Sequence, residues 1–136
     1  HADGRAFLAR DTNAYDIILI DTFSGSSLPE HMYTAEAFAS AAARLTPDGV
    51  IVVHLIAPPR HVVVQSITAT LNAVLPCVVG LTATPADTLQ NVYLLASPAP
   101  LRLPQNPQLA EYGLSVFFNP ESIRYLHILH LVTSRI

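Results

Sequence analysis

Apolar residues fall into two rhythms along this chain. Unbroken runs, Ile17-Ile18-Leu19-Ile20 and then Val50 to Ile56 with His54 inside it, alternate with segments whose apolar residues recur every three or four places. Periodicity alone does not assign so short a run. The β-branched content of the first run, and the polar loop Ser24-Gly25-Ser26-Ser27 beyond it, favour a strand buried on both faces, as in a parallel sheet. Asp21 ends that run. In open α/β sheets ligands bind beyond the carboxyl ends of the strands, so Asp21 has the first claim on chemistry.

The rest of the pattern follows in order. Asp3-Gly4-Arg5 opens a short helix with Phe7 and Leu8 on its apolar face, and Asp3 suits its N-cap. Ala35, Phe38, Ala42 and Leu45 form a helical stripe that predicts a second helix over 34–45. Thr34 and Ala37 make no capping box, so the sequence does not fix its start. Thr46-Pro47-Asp48-Gly49 reads as a turn before the strand over 50–56. A third helix is expected over 60–75, stopped by Pro76. Strands over 77–84 and 91–97 flank a polar tip as an antiparallel hairpin. After a proline-rich passage, short helices are expected near 107–112 and 120–129.

Strand–helix–strand–helix–strand order implies right-handed crossovers and a mostly parallel α/β sheet with flanking helices, closed at one edge by the hairpin. Residues 1–100 are expected to make the sheet domain and 101–136 a helical tail.

Composition narrows the class. The 136 residues are 51% hydrophobic and 12% charged, yet no apolar run approaches the length of a membrane span. A net charge of −3 with no basic block argues against nucleic acid as a partner. The single cysteine, Cys77, excludes an internal disulfide, fits a reducing, cytoplasmic setting, and reads as a buried small apolar residue. The apolar content and the abrupt start predict part of a larger domain with a face that another segment covers.

The wording of the chain adds a family. Asp3-Gly4-Arg5-Ala6-Phe7-Leu8, then Tyr15 to Asp21, then Pro29-Glu30-His31-Met32-Tyr33-Thr34, then Leu45 to Val50, resembles spermidine synthases and spermidine-synthase-like proteins. Asp21-Thr22-Phe23-Ser24-Gly25-Ser26-Ser27-Leu28-Pro29 resembles their divergent branch, and Asn91 to Ser97 resembles a late sheet strand of the family. The resemblance covers roughly residues 1–100. It implies a partial Rossmann-like, S-adenosylmethionine-dependent-methyltransferase-like fold, here its C-terminal half. It implies transfer of an aminopropyl group from decarboxylated S-adenosylmethionine to an amine, with that donor or S-adenosylmethionine as co-substrate and no prosthetic group. It also implies a homo-oligomer, or pairing with an N-terminal part.

The resemblance gives roles to individual residues. Asp3 with Gly4 matches the family's adenine-recognising turn. Asp21 matches the catalytic aspartate that binds the amine acceptor and assists its deprotonation. Residues 22–32, including Thr22 and Ser24, match a gate over the site. The chemistry suits a carboxylate, because the amine must lose a proton before it attacks the carbon beside the sulfonium. Sulfonium is a good leaving group, so no metal is required. Ser24 stands where the active family usually has a second aspartate, which puts diamine specificity in question. The family's glycine-rich cofactor loop lies upstream of His1, so this chain alone is not expected to hold a nucleoside cofactor tightly or to be active.

Plain structural readings stand beside these. Asp21 could cap a turn, Asp3 could be only an N-cap, and Asp16 reads as structural. The serines of 24–27 lack a nucleophile-elbow pattern, which argues against serine hydrolysis. His127 and His130 share a helical spacing, but no cluster completes a metal site around them. His54, near the end of its strand, could face the acceptor. Two other functions stay open: an S-adenosylmethionine-dependent methyltransferase-like protein, and a non-catalytic α/β interaction or oligomerisation domain.

Overall fold

A computed structural model describes residues 3–22, 28–101, 103, 113 and 115–118. Helix α1 spans Gly4–Arg10, strand β1 Tyr15–Ile20, a short 3-10 helix Glu30–Met32, α2 Ala35–Ala42, β2 Leu45–Ala57, α3 Val62–Asn72, β3 Cys77–Thr82, β4 Gln90–Ser97 and β5 Ser115–Phe118. The five strands form one sheet in the order β1-β2-β4-β3-β5.

The α/β class and the Rossmann-like plan hold. Strands β1 and β2 pair in parallel, and β3 runs in their direction. The sheet is mixed rather than mostly parallel with an edge hairpin: among the described strands only β1 and β2 pair in parallel, and β4 inserts between β2 and β3 and runs antiparallel to both, because the chain returns directly from β3 through a short connection. Strand β5 then pairs antiparallel with β3. The short apolar stretch Ser115–Phe118 was its only signal. The expected helices of 107–112 and 120–129 lie outside the described residues, as do Ser24, His127 and His130.

Local chemistry sets the helix ends. Asp3 Oδ1 accepts from the Ala6 backbone N–H at 2.9 Å, so Asp3 is the N-cap of α1. Thr34 Oγ1 accepts from the Ala37 N–H and starts α2 without needing a capping box. His61 Nδ1 does the same for α3 through Val63, so this helix begins later than residue 60 and ends before 75. In β2, Tyr15 pairs with Leu45 but Ile17 pairs with Val50. The expected turn at 46–49 is therefore an outward loop within the strand. Gly49 is required there, because an added Cβ would come within 2.9 Å of the Tyr15 carbonyl oxygen.

Strand alternation divides the core into two faces. Ile20, Ile51, Val53, Leu55, Val92 and Leu94 are buried against Phe38 and Ala41 of α2 and Val64, Ile67 and Leu71 of α3. Burying one such side chain contributes roughly 1.5–3 kcal/mol. On the opposite face Val79 and Leu81 pack with Leu101 and Leu103. Residues 101 and 103 thus cover the far side of the hairpin and belong to the sheet's packing. At the β1 end that face is open: Ile17 and Leu19 are each 61% exposed. The expectation of burial on both faces fails for β1, because the described helices all pack on the side of Ile18 and Ile20. Cys77 is half-buried rather than fully buried.

Candidate functional site

Asp21, His54, Tyr93 and Asn91 reach one place from three neighbouring strands. Asp21 follows the last residue of β1. His54 stands near the carboxyl end of β2, on the face opposite its buried neighbours Val53 and Leu55. Because β4 is antiparallel to β2, its first residues lie at that same end. His54 is directly opposite Tyr93, and Ile56 is opposite Asn91, so Asn91 is the diagonal neighbour of His54 on the same face.

The imidazole is held on three sides. Its Nδ1 lies 3.0 Å from Asp21 Oδ1 and its Nε2 lies 2.9 Å from Asn91 Oδ1. The Tyr93 ring stacks on it, with centroids 5.0 Å apart and planes 20° from parallel. The His54 side chain is 17% exposed, whereas that of Asp21 is 51% exposed. Burial works against a charge on His54. The hydrogen bonds to Asn91 and Asp21, with the Asp21 charge, outweigh it and hold the imidazole above the ordinary histidine range. Asp21 is therefore anchored through one oxygen and half-exposed to solvent.

Thr22 closes the other side. Its Oγ1 lies 2.9 Å from the Tyr33 hydroxyl, and Tyr33 packs edge-on against Phe38 of α2 at 6.4 Å between centroids. Burial, the largest influence, and the charge of Asp21 raise the Tyr33 phenol above its ordinary range, while the Thr22 hydrogen bond works the other way.

Asp3 and Gly4 sit apart, at the start of α1. Asp3 Oδ2 meets His31 Nε2 at 2.7 Å, so both carboxylate oxygens already have partners within the chain. The Ala6 N–H and then His31 hold the Asp3 carboxyl below the usual carboxylate range. Gly4 packs under Met32, whose Cε would be 3.1 Å from an added Cβ. A groove of about 310 Å³ between α1 and β1, lined by Gly4, Leu8, Ile18, Ile20, Thr22 and Met32, connects this corner with the end of β1. A larger hollow of about 450 Å³ beside α3 touches none of these residues. Asp16 accepts a hydrogen bond from Thr46 at 2.9 Å and ties β1 to the outward loop, a structural role.

Sequence reasoning thus named Asp21 and His54 but not their contact, and it missed Asn91 and Tyr93 as site residues. The available signal was the alternation of Asn91 and Tyr93 with the buried Val92 and Leu94.

The fold is Rossmann-like, as in the spermidine synthase and methyltransferase-like structures it matches. A probable spermidine synthase from Corynebacterium glutamicum superposes with a TM-score of 0.64 at 23% identity, over 82% of this chain and 41% of that one. Human methyltransferase-like protein 13, in complex with SAH, gives 0.59 at 24% identity, over 82% of this chain and 54% of that one. Spermidine synthase from Thermotoga maritima gives 0.58 at 20% identity, over 72% of this chain and 34% of that one.

One stretch of the sequence is similar to a curated relative. The chain is 38% identical over 53 residues to a probable polyamine aminopropyl transferase of Bifidobacterium longum, a stretch that is 39% of this chain and 12% of that protein. No family model matches the sequence. The chain spans under half the length of the two spermidine synthases it matches.

Proposed function

We propose that this chain is the acceptor-side half of an aminopropyltransferase domain. The reaction joins an amine nitrogen to the aminopropyl carbon beside the sulfonium of decarboxylated S-adenosylmethionine. The observation that carries the reading is Asp21: a half-exposed carboxylate at the carboxyl end of β1, braced by His54, in a fold shared with spermidine synthases. Asp21 holds the acceptor ammonium and takes its proton. The freed nitrogen pair attacks the carbon, and the electrons of the carbon–sulfur bond pass to sulfur, leaving a neutral thioether. Asp3 and Gly4 are assigned to the adenine end of the donor, where Asp3 must give up His31 to receive the adenine amino group. Thr22 is assigned to the gate beside the acceptor, and the resemblance alone gives Ser24 the same role.

The test is an assay of the full-length protein with putrescine and the decarboxylated donor, beside an Asp21→Asn variant. Equal turnover by the variant removes Asp21 from the mechanism. The human methyltransferase-like neighbour supports a second reading, methyl transfer from S-adenosylmethionine. The same assay with that donor separates the two. Among the described residues no helix is long and apolar enough to cross a membrane.

A further inference from the structure

We infer that His54 is a positioning residue that also stores the proton the acceptor must lose, with Asp21 as the relay and Asn91 as the group that fixes the imidazole tautomer. The inference rests on the transferase reading and extends it to residues that the resemblance gives no role in proton transfer.

Asn91 presents its Oδ1 to His54 Nε2 at 2.9 Å, so Nε2 must carry a hydrogen. A neutral imidazole then has a bare Nδ1, and that lone pair faces Asp21 Oδ1 at 3.0 Å. An ionised carboxylate oxygen only accepts. The contact is attractive only when one proton lies between the two groups. Asp21 and His54 are therefore a one-proton pair, and Asn91 makes imidazolium its favoured loaded form by accepting the second N–H. Tyr93 stacking blocks rotation of the ring out of this register.

A lone carboxylate is a weak base for an ammonium group, because catalytic bases work best with a pKa near the operating pH. Coupling to His54 moves the acceptor strength of the site in that direction, and the raised titration range of the imidazole agrees. Before turnover the pair gives its proton to solvent. The acceptor ammonium N–H bond then breaks and Asp21 takes the proton on its free oxygen. A half-turn of the exposed carboxyl brings that proton to Nδ1, and imidazolium forms. The released nitrogen pair attacks the donor carbon, and sulfur keeps the electrons of the broken bond. Around His54 the titratable groups from the packed elements are Asp21 beyond β1 and Tyr93 on β4, with Tyr33 reached by the charge of Asp21.

The first experiment reads the side-chain nitrogens of His54 by NMR in this chain across pH. Nε2 protonated and Nδ1 bare in the neutral form is the expected signature, and it needs no variant. Asn91→Leu should move the imidazole midpoint down. A neutral form protonated on Nδ1, or a midpoint unmoved by Asn91→Leu, overturns the inference and leaves Asp21 free to act alone. The second experiment is the pH profile of kcat/KM for the full-length protein. His54→Gln should lose about 10²-fold in kcat, and the acid limb should move to lower pH. An unchanged acid limb overturns proton storage even if the rate falls. Turnover lost in Asp21→Asn but with an unmoved acid limb in His54→Gln keeps the transferase reading and discards this one. Absence of transfer by the wild type discards both.

Discussion

Two histidine–aspartate contacts occur among the described residues, and they differ in what surrounds them. His31 and Asp3 approach to 2.7 Å with side chains 50% and 48% exposed. His54 and Asp21 approach only to 3.0 Å, but the imidazole is 17% exposed, stacked on Tyr93 and bonded to Asn91. The shorter contact joins two surface groups that water screens, and such pairs contribute little. The longer one fixes a ring in a particular orientation with each nitrogen assigned a partner. Distance alone ranks the two contacts in the wrong order for chemistry. A second partner and a covered ring distinguish an oriented imidazole from one that is only paired.

The two aspartates are expected to differ most in their effects on turnover. Asp21→Asn should lower kcat by about 10²- to 10⁴-fold, whereas Asp3→Asn should act on the KM for the donor. Steady-state kinetics of both variants decide it, and an equal loss of kcat in Asp3→Asn would erase the distinction. Next comes the ring support. Tyr93→Leu keeps an apolar residue in the strand but removes the stack, worth about 0.5–1.5 kcal/mol. A fall of about tenfold in kcat is expected, with little change in donor KM. A smaller effect is thermodynamic. The folded-state pKa of His54 is raised above the ordinary value of 6.5. Its contribution to stability is therefore fully present below pH 6.5 and is lost as pH rises through the raised value. Urea unfolding of the wild type and His54→Gln should show the largest gap near pH 6 and a narrower one at pH 9. The smallest effect is at Asp3, whose pKa is lowered from the ordinary 3.8. Asp3→Asn should lower the melting temperature slightly at neutral pH, and the difference should fade as pH falls below 3.8.

Much of the fold was legible because local signals were strong. The aliphatic runs marked β1 and β2 and the stripe with Phe38 marked α2, while α3 ends at Asn72, ahead of the stop expected at Pro76. Strand β5 escaped because four residues after a proline-rich passage carry little pattern. The exposure of Ile17 and Leu19 escaped because their composition is that of a buried strand, and only the placement of the helices shows which face lacks a cover. In the site, Asp21 was visible from its position at a strand end. Asn91 was not, because its relation to His54 depends on β4 entering beside β2 with Ile56 opposite Asn91. No local pattern encodes that register.

The insertion of β4 also orders events in time. Strand β2 ends at Ala57 and its second partner begins at Gln90, so a chain emerging from the ribosome completes β2 well before the neighbour that covers it exists. The β3–β4 pairing is local in sequence, whereas the β2–β4 pairing is non-local and carries the larger loop-closure cost. Asn91 and Tyr93 arrive with it. The orientation of the His54 imidazole therefore depends on that non-local pairing, which alone sets Asn91 and Tyr93 beside the ring.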